Sequence, residues 1–302
     1  MTDKHISVSE YLKEKYGEKV YKISIDAGMT CPNRDGTLGT GGCIFCSEGG
    51  SGDFAFGNGK KYSYTQEDII GQLNSARSLI SAKSDCRKFI AYFQAFSNTY
   101  APVEYLRKVF FAAIEQPDIV GLSVATRCDC ISEEVLSLLK ELNSIKPVWV
   151  EMGMQSVHAQ TLEAIKCGYT YEQFEDSVYR LSEAGINVIA HLILGLPGET
   201  HEMMIASVDK VCSLPIRGIK LQLLHVLKGT ELAGKYEEEP FHIMSMEEYC
   251  SLVTECLNHI PKDIVIHRLT GDGPRRLLIE PKWSTDKKRV LNTLKKMQNK
   301  DL

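Results

Sequence analysis

The sequence predicts an α/β protein, an open (β/α)6 partial TIM barrel followed by an α-rich C-terminal extension. Strand-like and helix-like segments alternate six times between residues 20 and 230. The predicted strands are almost continuously apolar, which is typical of parallel strands that are buried on both faces. The chain has 302 residues, 43% of them hydrophobic and 25% charged, which is enough for one large globular domain with extensions.

The chain is predicted to have three parts: a lead-in (1–19), the barrel core (20–230) and a basic extension (231–302). The strands of the core are predicted at 20–26, 88–96, 118–125, 147–153, 187–195 and 218–224. The helices of the core are predicted at 65–83, 103–115, 133–143, 158–167, 171–184 and 199–212. Elsewhere, helices are predicted at 7–17, 245–259 and 286–299, and a further strand at 263–267.

Three cysteines lie in a glycine-rich loop after the first predicted strand, which is where an α/β barrel places functional loops. Cys43 and Cys46 form a CxxC pair, and Cys31 precedes them by eleven intervening residues. Structural zinc needs four closed ligands, whereas a [4Fe–4S] cluster takes one thiolate per iron. Three thiolates would therefore leave one iron open to a ligand. The alternative is a loop with ordinary thiols.

The loop and segments along almost the whole chain resemble the radical S-adenosylmethionine (radical SAM) superfamily. The resemblance is strongest to its compact bacterial YhcC/YtqA-like group, which is related to the elongator-catalytic-subunit-like branch. Most of the superfamily spaces these cysteines CxxxCxxC, and a longer first gap, as here, marks certain branches. The resemblance implies a [4Fe–4S] cluster on Cys31, Cys43 and Cys46, whose open iron chelates S-adenosylmethionine. It also implies an electron donor such as flavodoxin or ferredoxin.

The resemblance also places contacts to S-adenosylmethionine at the ends of the core strands. The second strand ends at Gln94, where the superfamily's Gly-Gly-Glu motif is absent, and the third leads into Arg127, which could clamp a carboxylate. The other candidates at strand ends are Gln155, Ser156, His191 and Leu224. The alternatives are an ion pair of Arg127 with Asp129, a buried amide at Gln155 and a hydrogen-bonded core histidine at position 191.

A Cys-x-Cys pair follows the third strand, because the segment reads Thr126-Arg127-Cys128-Asp129-Cys130. The YhcC/YtqA-like group has proline where Cys128 stands. Cys130 is a candidate catalytic thiol, and a second metal site at this pair is disfavoured. The remaining cysteines are interpreted as scattered, buried, small apolar residues: Cys86, Cys167, Cys212, Cys250 and Cys256.

The charge of the chain is unevenly distributed. Residues 261–302 contain eleven Lys or Arg and five Asp or Glu, although the whole chain has a net charge of −4. A basic segment on an acidic body suggests a polyanionic partner, and a solvated basic helix is the alternative. The RNA-binding candidates are Arg268, Arg275, Arg276, Lys282, Lys287 and Lys288.

Three functions follow as hypotheses. The resemblance implies a tRNA-modifying enzyme that acts on the carboxymethylaminomethyl side chain of a wobble uridine. A radical SAM enzyme for a small-molecule or porphyrin-like substrate is the second hypothesis. A non-enzymatic metal-binding module is the third, and the polar strand ends argue against it.

The sequence also predicts the compartment. No apolar run approaches the roughly 20 residues of a membrane span, so no membrane contact is expected. The N-terminus is polar and lacks a signal-peptide pattern. Ten cysteines without an export signal are typical of the reducing cytoplasm, and we expect a cytoplasmic protein.

Overall fold

The structure, a computed structural model, describes residues 5–50, 61–82, 84–271 and 273–298. Its strands are β1 (Val20–Ile25), β2 (Lys88–Phe93), β3 (Ile119–Thr126), β4 (Val148–Gln155), β5 (Asn187–Leu194), β6 (Gly218–Leu223), β7 (Val226–Leu227), β8 (Val265–Arg268) and β9 (Leu278–Glu280). Its α-helices are α1 (Val8–Tyr16), α2 (Gln66–Ser81), α3 (Val103–Ile114), α4 (Glu133–Ile145), α5 (Ala159–Ala164), α6 (Tyr171–Glu183), α7 (His201–Cys212), α8 (Glu231–Glu238), α9 (Met246–His259) and α10 (Lys287–Gln298). The predicted helix ends at residues 83 and 299 lie outside the described residues.

Seven of these strands form one parallel sheet in the order β1-β2-β3-β4-β5-β6-β8. The predicted partial α/β barrel is therefore confirmed. The seventh strand, β8, comes from the extension and pairs with β6, so the sheet continues beyond the six strands predicted for the core. The short strands β7 and β9 form a separate antiparallel pair, which the sequence did not predict.

The helices begin where side chains satisfy free backbone N–H groups. The Thr65 hydroxyl accepts from the N–H of Asp68, the Ser132 hydroxyl accepts from that of Val135, and Ser245 caps α9 in the same way. Each such cap stabilises its helix by about 1 kcal/mol. These caps agree with the helix starts that the sequence predicted.

Helix α1 closes the amino-terminal end of the barrel. Leu12 is buried in a small cluster inside the barrel with Ile90, Trp149 and Ile189, which come from three different strands. The Tyr16 hydroxyl donates to the carbonyl of Val120 (3.1 Å). The segment before α1 also reaches the sheet edge, because the N–H of Ile266 in β8 donates to the carbonyl of residue 6 (3.0 Å).

The extension packs over the opposite end, next to the cysteine loop. The N–H of Leu232 in α8 donates to the carbonyl of Ile44 (2.9 Å), and Lys166 pairs with Glu231 (2.7 Å). Helix α9 packs against α7 and α10. Within the described residues, no helix is both long and apolar enough to cross a membrane.

Candidate active site

A cavity of about 830 Å³ opens at the carboxyl end of the strands, between the cysteine loop and the extension. Parallel barrels place their functional sites at this end. The volume lies within the range of small-molecule and cofactor sites. The cavity is lined by residues from the cysteine loop, from the strands β1 to β6 and β8, and from the extension. Three parts of the chain that are distant in sequence therefore form one site.

The cysteine loop brings its three cysteines together, since Cys31, Cys43 and Cys46 all line this cavity and none is in a disulfide. The Asn33 amide donates to Cys43 Sγ at 3.6 Å. Arg34 Nη2 donates to the carbonyl of Cys46 at 2.9 Å. Among the described residues, no three Cys, His, Asp or Glu side chains converge as ligands of a single metal ion. A [4Fe–4S] cluster needs no such convergence, because each thiolate binds a different iron.

Two glycines allow the loop to fold tightly. A Cβ at Gly39 would lie 2.8 Å from Asn33 Oδ1. A Cβ at Gly42 would lie 2.8 Å from Arg34 Nε, and the φ angle of Gly42 is +78°. At Gly42, glycine alone accepts both the close contact and the positive φ angle without strain. The side chains of Asn33 and Arg34 therefore lie directly against the loop that carries the cysteines.

The three cysteines are half-buried at the cavity. Burial raises the pKa of Cys46 to about 11 and also raises the pKa of Cys31. A hydrogen bond with Cys167 and burial raise the pKa of Cys43 well above its usual range. The bare thiols are thus protonated at neutral pH, and metal binding would displace their protons. The donor set fits an iron–sulfur cluster, because soft thiolates with hydrogen-bond donors beside them are its usual ligands.

Arg127 lines the cavity, but most of its guanidinium is already paired. Its Nε and Nη2 donate to the two carboxylate oxygens of Asp129, at 2.8 and 2.6 Å. Its Nη1 donates to the carbonyl of Cys167 at 2.8 Å. The ring of Tyr169 packs 4.8 Å from its guanidinium carbon. The structure thus contains the ion pair that was the alternative to a carboxylate clamp, and the guanidinium fork is occupied by Asp129.

Gln155 has the feature expected of a ligand-binding side chain. Its Oε1 is buried and has no hydrogen-bond partner among the described residues, and the side chain lines the cavity. A Cβ at Gly153 would lie 2.2 Å from Gln155 Nε2, so glycine makes room for this amide. An unpaired buried oxygen is costly unless a ligand or water donates to it. S-adenosylmethionine, which carries ribose hydroxyls, fits such a site.

Gln94, His191 and Leu224 also line the cavity. The Gln94 Oε1 accepts a hydrogen bond from Ser24 at 2.9 Å. His191 Nε2 lies 3.1 Å from Glu151 Oε2. Burial and the nearby charge of Lys220 lower the pKa of His191 to about 4, so the imidazole is neutral at pH 7. Gln94 and Leu224 follow the carboxyl ends of β2 and β6, whereas His191 lies deeper, within β5 and level with Lys220. Their cofactor-binding roles stay predictions.

Two candidates from the sequence do not lie in this cavity. Ser156 is fully buried and donates to Glu199, at the end of the Gly-Leu-Pro-Gly-Glu turn, so it is an internal anchor. Cys130 lines a separate depression beside Tyr62 and Asp129. Burial and Asp129 raise the pKa of Cys130 to about 12, which disfavours a reactive thiolate. The structure thus places Ser156 and Cys130 outside the cavity lining, and their predicted roles stay predictions that this position does not favour.

The basic candidates divide into two groups. Arg268, Arg275 and Lys287 line the cavity. The others are exposed on the extension outside the cavity lining: Arg276, Lys282 and Lys288. Arg275 Nη2 donates to the carbonyl of Thr285 at 3.0 Å, which fixes its position at the cavity.

The sequence analysis missed a charged cluster inside the barrel. Glu151 is fully buried and accepts hydrogen bonds from Lys22, Ser123 and Lys220, with His191 beside it. Burial would raise the pKa of Glu151, but the charges of the two lysines hold it well below its usual range. The alternation of residues along each strand does not indicate which side chains of different strands contact each other inside the barrel. The signal available was lysine at two positions of apolar strands, where lysine is rarely buried without a partner.

Cys167 is fully buried, as the sequence analysis predicted. Its position beside Cys43 and Tyr169 was not predicted. Its carbonyl also accepts from Arg127. The Tyr169 hydroxyl donates to the carbonyl of Gly153 at 2.8 Å. Cys167 and Tyr169 thus join the cysteine loop to the third and fourth strands.

Comparison with known proteins agrees with this geometry. Residues 33–211 match the family described as the Radical SAM superfamily, and residues 216–299 match the Radical_SAM C-terminal domain. The protein YtqA of Bacillus subtilis is 42% identical over 290 residues, which cover 96% of this chain and 88% of YtqA.

Two archaeal proteins are more distant. The tRNA uridine(34) acetyltransferase of Methanocaldococcus infernus is 26% identical over 164 residues, which cover 53% of this chain and 30% of that protein. The solved structure of Methanocaldococcus infernus Elp3 superposes with a TM-score of 0.66 at 17% identity, over 92% of this chain and 63% of that chain. The second likeness shows a shared fold.

Three observations support the same assignment. They are the cysteine loop at the carboxyl end of a parallel barrel, the polar strand ends and the match over most of the sequence. The chain belongs to the radical SAM superfamily of enzymes, in the YhcC/YtqA-like group that is related to the elongator branch.

Proposed function

We propose that this protein modifies the carboxymethylaminomethyl side chain of a wobble uridine in tRNA, with a [4Fe–4S] cluster and S-adenosylmethionine as cofactors. The family implies the two cofactors. The polyanionic substrate is supported by the charge of the cavity. Its described lining contains one acidic residue, Glu151, and six basic ones: Arg34, Arg127, Lys220, Arg268, Arg275 and Lys287.

The distant tRNA uridine(34) acetyltransferase supports the same substrate class, because its name places its activity on uridine 34 of tRNA. The similarity covers 30% of that protein, so it supports the RNA substrate and not acetyl transfer. Positive charge in a cleft raises the local concentration of a nucleic acid and attracts its phosphates.

Different residues of the chain would have different roles. Cys31, Cys43 and Cys46 would hold the cluster, and the amide of Gln155 would hydrogen-bond the ribose of S-adenosylmethionine. Phe45 lines the cavity between two of these cysteines, where it would exclude water from the cluster. With one electron from a donor such as flavodoxin or ferredoxin, the bound cofactors would supply a 5′-deoxyadenosyl radical for hydrogen abstraction from the substrate. The protein's contribution is to orient the substrate and to protect the radical.

The test is anaerobic. The protein is reconstituted with iron and sulfide, mixed with reductant and S-adenosylmethionine, and assayed for 5′-deoxyadenosine with and without bulk tRNA. We expect tRNA to increase the yield and nucleoside mass spectrometry to show loss of the carboxymethylaminomethyl nucleoside. Product formation that tRNA leaves unchanged, with every tRNA nucleoside intact, would refute the proposal and favour a small-molecule substrate.

A further inference from the structure

The inner end of the cavity contains Lys220, which contacts Glu151 together with a second, half-buried lysine, Lys22. Lys220 lies on β6 and lines the cavity, and its side chain is 7% exposed. Lys22 lies on β1, and its side chain is 22% exposed. Both ammonium groups donate to the same carboxylate, one to each oxygen. The Glu151 carboxylate is the meeting point of this cluster.

The acceptor capacity of Glu151 is fully used. A carboxylate offers about four lone-pair positions. Lys22 and Ser123 approach Oε1, and Lys220 and His191 approach Oε2. Glu151 therefore has no position left for a substrate donor. Its role is to keep these two ammonium groups charged and in place.

Lys220, in contrast, has N–H donors for which the described residues provide no acceptor. An ammonium group has three N–H donors. Glu151 is the one hydrogen-bond acceptor that Lys220 contacts in the described part of the chain. Its Nζ otherwise lies 5.1 Å from the centre of the Tyr92 ring, which is a cation–π contact. A nearly buried ammonium facing a cavity with unused donors needs an acceptor from a ligand or from water.

The charges within the cluster do not cancel. Lys22, Lys220 and the nearby Arg268 carry positive charge, and the carboxylate of the cluster is Glu151 alone. The neighbouring imidazoles are neutral, since burial and the lysines lower the pKa of His191 and of His267 below neutral pH. Among these groups, positive charge is in excess, and an anionic group bound here would reduce that excess.

The position of Lys220 separates this anion from the methionyl end of S-adenosylmethionine. Lys220 lies four residues before Leu224, which follows the carboxyl end of β6. Four strand residues span about 13 Å. The cysteine loop follows the carboxyl end of β1, and the family places the amino and carboxylate groups of S-adenosylmethionine on the cluster. The inner end of the cavity is left for the substrate.

We propose that Lys220 is a substrate-binding residue that anchors a carboxylate of the substrate at the inner end of the cavity. Lys22 and Glu151 act as positioning residues for it. The identification of this carboxylate as the end of the carboxymethylaminomethyl side chain rests on the proposed function. The carboxylate site itself does not depend on RNA. A substrate held at this point would present the methylene groups next to its carboxylate toward the cofactors.

A first experiment tests the anion site with a small probe. Sarcosine reproduces the carboxymethylamino end of the side chain, and sarcosinamide lacks the carboxylate. We expect sarcosine to raise the Tm of the reconstituted wild-type protein by a few degrees in a saturable manner, and sarcosinamide not to do so. Lys220→Met should abolish the shift. The control Lys140→Met, on the exposed face of α4, should keep it. A wild-type protein with no carboxylate-dependent shift would overturn the proposal.

A second experiment uses anticodon stem-loops that differ in one group, a carboxymethylaminomethyl or an aminomethyl side chain on the wobble uridine. We expect the wild type to prefer the carboxylated loop by roughly tenfold to hundredfold, the range of one charge-assisted hydrogen bond. Lys220→Met should reduce this preference to below about threefold. Lys220→Arg keeps the charge and should keep part of the preference, which separates loss of the site from loss of folding.

The remaining outcomes are also decisive. If Lys220→Met weakens S-adenosylmethionine binding and leaves the loop preference intact, the methionyl carboxylate is the occupant and the proposal is wrong. If no stem-loop binds but the sarcosine shift still needs Lys220, the carboxylate site stands. In that case the proposed tRNA substrate fails.

Discussion

Arg127 and Asp129 form a bidentate ion pair at the end of β3, with Nε–Oδ1 and Nη2–Oδ2 distances of 2.8 and 2.6 Å. Their side chains are 9% and 13% exposed. The third guanidinium nitrogen donates to the carbonyl of Cys167, so the pair joins the end of β3 to the segment beside Cys43. This pair fixes one wall of the cavity next to the cysteine loop.

Replacing Asp129 by alanine should therefore be strongly destabilising. The substitution leaves the Arg127 charge buried and without a counterion, which costs about 3–5 kcal/mol. The matched control is Glu141→Ala, which breaks the exposed pair with Arg107, whose side chains are 40% and 45% exposed. That control should cost less than about 1 kcal/mol. Urea denaturation of both variants measures the difference, and equal losses would show that Asp129 is not a structural partner.

Each substitution Cys31→Ala, Cys43→Ala or Cys46→Ala should remove most of the iron and sulfide and all production of 5′-deoxyadenosine. The reason is that each thiolate would bind a separate iron of the cluster. Iron and sulfide analysis after anaerobic reconstitution gives the measurement. Cys86→Ala is the control, because Cys86 donates to the carbonyls of Lys19 and Lys88 and does not line the cavity. A triple variant with a full complement of iron would disprove the assignment.

Gln155→Ala should weaken S-adenosylmethionine binding by about tenfold, as expected for the removal of one hydrogen bond. The stability of the free protein should change little, because Gln155 Oε1 has no partner in the described structure. Equilibrium binding of S-adenosylmethionine and thermal unfolding measure the two effects separately. Loss of stability with unchanged binding would mean that the amide is structural.

Reversing the charges of Arg275 and Lys287 should weaken tRNA binding and flatten its salt dependence. For every phosphate that the protein no longer neutralises, the slope of log K against log salt should fall by about 0.7–0.9. The control reverses Lys13 and Lys15 on α1, at the opposite end of the barrel. Filter binding at several salt concentrations gives both slopes. If the Arg275/Lys287 variant binds tRNA as well as the Lys13/Lys15 control does, the RNA does not contact the part of the extension that lines the cavity.

Substrate affinity should fall above pH 8. Burial lowers the pKa of Lys220 to about 8, although the charge of Glu151 opposes this shift. The ammonium form binds a carboxylate and the neutral amine does not, so affinity is present below this pKa and disappears above it. We expect about a tenfold loss between pH 7 and pH 9 from the value of about 8. The charged and titratable groups near Lys220 are Glu151, Lys22, Arg268, Tyr92, His191 and His267.

Titration of sarcosine binding across this range measures the effect. Lys220→Arg serves as the control, since arginine stays charged and should give a flat profile. The same loss in Lys220→Arg would assign the titration to another group.

The sequence predicted the fold well because its determinants are local. Near-continuous apolar strands, helix caps such as those at Thr65 and Ser245, and the glycine-rich cysteine loop can each be recognised within a few residues. The parallel order of the sheet follows from the strand–helix alternation. The seventh strand was predicted as a strand at 263–267, but nothing in its sequence states that it pairs with β6.

The interior of the site was predicted less well because it depends on contacts between distant residues. Lys22, Glu151 and Lys220 lie on three strands, and their meeting depends on the register and curvature of the sheet. For the same reason, a guanidinium at Arg127 suggested a cofactor clamp, whereas the structure pairs it with Asp129. Cys130 lies shortly beyond the strand end, and a short 3-10 turn at Cys128–Cys130 directs it to a different depression.

Helix α1 also has a kinetic consequence. Leu12, Trp149 and their neighbours fill the amino-terminal end of the barrel in the described structure, so we expect ligands to reach the cavity from its other end, beside the extension. A small cofactor and a large nucleic acid that share this approach should bind in a fixed order. S-adenosylmethionine would bind first, the RNA would close the exit behind it, and methionine and 5′-deoxyadenosine would leave after the RNA. A steady-state analysis should therefore show compulsory-order kinetics, in which tRNA traps a prebound cofactor.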